Sequence, residues 1–211
     1  MSIHIQKIAP LEIEQESFRI ISEELGQTDL DEQTFKIVQR VIHATGDFSF
    51  YDNIRFSPGA IAAGIRAIQN GKNILTDVNM AAAGISKAIL GKWGGKVLCH
   101  VADPEVAKRA KAENRTRSEI AIDLGLKHNI GIVAIGNAPT ALLQTINTLK
   151  EKNIDSVPLV VGVPVGFVNA AESKALLVEQ NNCYITSLGR KGGSPVAAAI
   201  VNALIRLAND R

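Results

Sequence analysis

Aromatic residues are scarce, only 4% of the 211, so stacking platforms for single-stranded bases are not expected. An excess of one charge is missing too. Lys and Arg number 23 against 21 Asp and Glu, a net charge of +2, and no block rich in Lys or Arg stands out. Nucleic acid is therefore excluded as a partner. Cysteine is limited to Cys99 and Cys183. Both sit in apolar, strand-like runs and read as reduced core thiols of a cytoplasmic protein, not as a disulfide framework. Neither has a close metal-ligating neighbour, and His4, His43, His100 and His128 are scattered, so no metal site is expected. No apolar run approaches the ~18 residues of a membrane span, and the first residues lack a signal-peptide core. Phosphate-binding motifs are absent as well. Gly189-Arg190-Lys191-Gly192-Gly193 is not Gly-x-Gly-x-x-Gly, and neither Ser nor Thr follows Lys96 in the Gly91–Lys96 stretch. Neither Ser17 nor Ser194 has a nucleophile-elbow context. No cofactor is expected.

What is present is ordinary for a soluble globular chain, 46% hydrophobic and 21% charged. The length suits one domain over residues 1–211. Helical spacing covers 10–25, and a second helix carrying His43 follows a cap at Thr28 or Asp29. Alternating aromatics make 48–56 extended. A helix opens at Ser57-Pro58-Gly59 and ends near Gly71, a strand spans 73–78, and 80–90 reads as helix. From there the rhythm is regular. Strands at 97–101, 130–135, 159–163 and 183–188 alternate with helices at 103–126 (interrupted at 114–118), 139–152, 169–180 and 195–207. Short continuous apolar strands alternating with helices predict an α/β fold, a single doubly wound domain with a mainly parallel sheet and helices on both faces. The last helix is apolar nearly all round, so it must be covered on most sides, by its own chain or by a second copy.

In such sheets ligands bind beyond the carboxyl ends of the strands. Three of these ends share glycines and a following helix N-terminus, at Gly136–Thr140, Pro164–Lys174 and Gly189–Pro195, the last with Arg190 and Lys191. Together they suit an acidic ligand. The helix before Gly46 puts Phe35, Val38, Val41, Ile42 and Thr45 on one face and Lys36, Arg40 and His43 on the other, with Arg40 and His43 neighbours in its last turns. Taken alone, that polar face is what any solvated helix shows. His100, ending an apolar strand, reads as a satisfied buried side chain.

Several stretches together carry a resemblance. They are Glu16-Ser17-Phe18, Arg40-Val41-Ile42-His43-Ala44, Thr116-Arg117-Ser118, Ile135 through Leu142, Pro164-Val165-Gly166-Phe167-Val168, Ala170-Ala171-Glu172-Ser173-Lys174, and Gly189-Arg190 with Gly192-Gly193-Ser194. Over nearly its whole length the chain resembles the cobalt-precorrin-8 (precorrin-8X) methylmutase family of cobalamin biosynthesis. Arg115, before Thr116, departs from the small residue of the family pattern. The resemblance implies a cytosolic α/β homodimer, an isomerase that moves a methyl group from C-11 to C-12 of a tetrapyrrole (corrinoid) substrate to give (hydrogeno)cobyrinate. It implies a catalytic histidine at His43 and substrate contacts at Ser17 and Arg40. The macrocycle carries many carboxylates, with which Arg40, Arg117 and Arg190 can pair. A non-catalytic corrinoid carrier is the competing expectation; a nucleotide-binding regulator is disfavoured by the missing phosphate motifs.

Overall fold

The sheet is assembled from Ile54–Phe56 (β1), Asn73–Thr76 (β2), Val97–Leu98 (β3), Ile130–Ile135 (β4), Leu159–Gly162 (β5) and Tyr184–Ser187 (β6), in the order β1-β6-β5-β4-β2-β3. These come from a computed structural model that describes residues 7–10, 12–151 and 157–210; His4, position 11 of the helix read over 10–25 and position 152 of that read over 139–152 lie outside them. β2 through β6 pair in parallel, and only β1 runs antiparallel, against β6. β4, β5 and β6 are buried along their whole length, as expected of strands covered on both faces. Alternation then sorts the side chains. Ile132 and Ala134 of β4 join one apolar cluster, and Val133 and Ile135 join another.

The helices are Ile13–Leu25 (α1), Glu32–Thr45 (α2), Phe50–Asn53 (α3), Ala60–Gln69 (α4), Asn79–Gly84 (α5), Lys87–Gly91 (α6), Pro104–Ala112 (α7), Arg117–Gly125 (α8), Pro139–Glu151 (α9), Ala170–Val178 (α10) and Ser194–Asn209 (α11). Residues of α2, α4 and α11 fill the first cluster, and those of α9, with Leu177 of α10 and Ile122 of α8, fill the second. The doubly wound α/β reading therefore holds. α11 packs on α2, α4, α5 and the sheet. Its apolar surface is thus covered within one chain and by itself gives no argument for a second copy.

Three local expectations are corrected. The cap of α2 is Asp31, whose Oδ1 accepts from the N–H groups of Gln33 (3.0 Å) and Thr34 (3.1 Å), not Thr28 or Asp29. Thr28 instead accepts from the N–H of Leu30 in the preceding turn. Residues 48–56 are not one extended segment. Asp47 Oδ1 accepts from the N–H of Ser49, which starts the turn of α3, and only Ile54–Phe56 is strand. The helix over 80–90 is broken after Gly84, because Asn202 of α11 donates to the Gly84 carbonyl and accepts from the Ser86 N–H, each at 2.8 Å. A side chain from another element has replaced the helix's own ladder there.

Candidate active site

The parallel strands all deliver their loops to one end of the sheet, and a buried carboxylate organises it. Asp77 follows β2 and is wholly buried. Its two oxygens accept from the N–H groups of Gly136 (2.9 Å), Asn137 (2.8 Å) and Ala138 (2.7 Å). Burial pushes its pKa up, against the pull of those three hydrogen bonds. The turn between β4 and α9 is thereby shaped around one side chain. Gly136 is required in that turn, since a Cβ there would stand 2.7 Å from the backbone of Ser194 at the start of α11. Sequence reading missed Asp77, whose only signal was an acidic residue directly after a predicted strand.

α2 reaches the same end. Gly46, at φ 65°, stops it and donates its N–H to the Ile42 carbonyl, as an αL glycine cap does. Just beyond, Asp47 Oδ2 and Ser49 Oγ both receive Lys191 Nζ, at 2.7 and 2.9 Å. The loop after β6 is so tied to the end of the helix that carries His43. His43 is exposed and, among the described residues, its ring has no hydrogen-bond partner. Its close aromatic neighbour among the described residues is Phe18 of α1, met edge-on with ring centroids 5.3 Å apart and planes at 78°.

Arg40 lies over the same Phe18 ring, its guanidinium 4.6 Å from the centroid. It is not a free cation. Glu14 takes both its terminal nitrogens, at 2.6 and 3.3 Å, and also pairs with Arg206 at 3.0 Å. The Arg40 hydrogen bond, helped by the charges of Arg206 and His43, holds the Glu14 carboxyl below the usual range. Ser17 is half-buried one residue before Phe18 and makes no side-chain hydrogen bond among the described residues.

Arg117 and Arg190 stand differently. Arg117 is the first residue of α8, exposed, after a capping box in which Thr116 and Glu119 satisfy each other's backbone N–H groups. Thr116 Oγ1 lies 3.2 Å from Thr140 Oγ1, which places this corner beside the Asp77-held turn. Arg190 is exposed in the loop after β6, 5.5 Å from the ring of Phe167. Neither arginine has a carboxylate partner among the described residues. Arg115 is a structural knot instead, paired with Asp123 (2.8 Å) and Glu113 (3.2 Å). His100 is half satisfied: Nδ1 lies 2.7 Å from Asp103 Oδ2, its ring stacks on His128, and the buried Nε2 has no partner among the described residues.

The structure thus brings His43 and Arg40 together on Phe18, with Ser17 the residue before it in α1, and sets Arg190 on a loop tied to the end of α2, while Arg117 occupies the β4 side of the same end. Apolar side chains are left bare here too. Phe167 is 84% exposed, Val168 78% and Met80 71%.

The sequence pattern of the family described as precorrin-8X methylmutase matches residues 12–207. The chain is 45% identical over 205 residues to a cobalt-precorrin-8 methylmutase of Priestia megaterium, covering 96% of this chain and 90% of that protein. It is 42% identical to the cobalt-precorrin-8 methylmutase of Salmonella typhimurium, over 93% and 94% of the two chains. A solved structure of precorrin-8x methyl mutase from Thermus thermophilus superposes with a TM-score of 0.87 at 43% identity, covering 95% of this chain and 97% of that one.

Proposed function

Since the chain belongs to the precorrin-8X methylmutase family, isomerases of cobalamin biosynthesis, we propose that it moves a methyl group from C-11 to C-12 of (cobalt-)precorrin-8, giving (hydrogeno)cobyrinate, with His43 as proton donor and acceptor. The observation that carries the assignment is the state of His43. It is exposed, its ring nitrogens are uncommitted among the described residues, and its ring rests edge-on against Phe18. An imidazole so placed can give a proton to a bound ring and recover it. The methyl shift is internal to the macrocycle, so no electron is gained or lost and the proton returns to its donor. Cobalt, where present, arrives as part of the substrate.

Binding follows from the same surroundings. Arg117 and Arg190, without a carboxylate partner among the described residues, take carboxylates at the rim of the macrocycle, with Arg40 and Ser17 contributing beside His43. The pocket between α1, α2 and α11 is about 210 Å³, below the range that encloses even a drug-sized ligand. The flat ring therefore rests on the exposed apolar residues at this end, and in our reading a second subunit of a cytoplasmic homodimer supplies the opposite wall.

The test is His43→Asn, which keeps size and one hydrogen bond but cannot titrate. Conversion should fall by roughly 10²–10⁴-fold while product binding persists. The limb that the imidazole sets in the pH profile of kcat should vanish. Wild-type turnover in the variant, or survival of that limb, would move the proton to another group. A wild type that binds the product tightly but never converts substrate would be a carrier.

A further inference from the structure

Ala170-Ala171-Glu172-Ser173-Lys174 belongs to the family resemblance, yet the reading above gives it no role. In the structure Lys174 is wholly buried, the largest side chain so enclosed among the described residues. Burying an ammonium without a counter-ion is costly, and among the described residues Lys174 has none. Its Nζ donates to the backbone carbonyl of Lys191 at 2.7 Å, an oxygen that also accepts from Ser187 Oγ at 3.1 Å.

No charged group on the neighbouring elements offsets it among the described residues. α9 carries only Lys150 and Glu151, both in its last turn; β6 carries Tyr184 and no charge; the loop after β5 is uncharged. Glu172 of its own helix and Glu179 just beyond it make no ion pair with it. Lys191, whose carbonyl Lys174 holds, sends its own ammonium the other way, to Asp47 Oδ2 and Ser49 Oγ. The loop that Lys191 occupies is also tightly built: the Gly193 N–H is donated to the Val163 carbonyl and the Gly166 N–H to the Arg190 carbonyl.

We propose that Lys174 is a positioning residue that fixes the Gly189–Gly193 loop from beneath, and that arrival of a substrate carboxylate on this loop is coupled to protonation of Lys174. The identity of that carboxylate rests on the corrinoid reading. Burial alone lowers the Lys174 pKa to about 8 in the free protein. An anion settling over the loop supplies the missing countercharge and returns the amine towards its ordinary value. Binding above pH 8 therefore takes up a proton.

Calorimetric titration of the full chain with (hydrogeno)cobyrinate, in two buffers of different protonation enthalpy, measures this directly. We expect uptake of about one proton at pH 9, little at pH 7, and affinity about tenfold weaker at pH 9, from an amine moving between about 8 and the ordinary ~10.4. Lys174→Gln retains a donor for the Lys191 carbonyl but no charge. It should bind within several-fold of the wild type at pH 9, with neither proton uptake nor pH dependence, and Lys174→Met should lose binding as well. Corrinoid binding by the wild type without proton uptake, or uptake that persists in Lys174→Gln, overturns the proposal and leaves the methylmutase reading intact. Absence of any corrinoid binding overturns both. Should neither variant fold, carbon-13 NMR of the wild-type lysine Cε groups decides: one resonance titrating near pH 8 that stops doing so on binding supports the coupling, and its absence refutes it.

Discussion

Arg40 can meet a substrate carboxylate only by sharing or leaving Glu14, which holds it in a bent chain with Arg206. Its proximity to His43 was legible from helical spacing alone. Glu14 was not, because the contact spans 26 residues of sequence and periodicity carries no long-range pairing. If the released guanidinium is the binding form, Glu14→Gln should lower KM several-fold with kcat unchanged, since that contact is shared by substrate and transition state. A raised KM would show that the intact Glu14 network is what binds. Asp77 makes the opposite case, a carboxylate whose work is internal. Asp77→Ala would strand three N–H groups in the turn at Gly136–Ala138 and should cost about 3 kcal/mol in denaturant unfolding, the scale of buried donors left without acceptors.

Between elements, the bond from Lys191 to Asp47 and Ser49 joins the end of α2 to the loop after β6. Lys191 is 58% exposed in that pair, so its contribution to stability is small. Its effect lies in where it holds Arg190 relative to His43. Lys191→Met should leave Tm nearly unchanged and lower kcat/KM about tenfold, a split that thermal melts and steady-state rates resolve; equal loss of both would make the tie merely structural. Most elements were legible, because buried parallel strands read as unbroken apolar runs and Gly or Pro punctuates their ends. The exceptions have a common cause. Asp47 starts a helical turn inside an aromatic alternation, and Asn202 cuts an Ala-rich helix from α11. Both are side-chain hydrogen bonds to backbone, which a hydrophobic pattern does not register.

For the molecule as a whole, the proposed dimer is checked by mass in solution at micromolar concentration, where a monomer would remove the second wall from the binding scheme. Lys174 has a global signature as well. Its folded-state pKa, about 8, lies below the ~10.4 of an unfolded lysine, so between those values the unfolded chain binds more protons. Stability should accordingly rise with pH across that window, by about 2 kcal/mol relative to Lys174→Met in denaturant titrations at pH 8 and 10. The last described helix sets a different kind of limit. α11 follows every other described element in the chain, yet α2, α4, α5 and the strands β4 and β5 all pack on it. During synthesis those earlier segments must wait, apolar faces bare, until this one clears the ribosome exit. Their window of vulnerability is then the translation time of the residues between, and slowing elongation there should send nascent chains to holding chaperones or into aggregates.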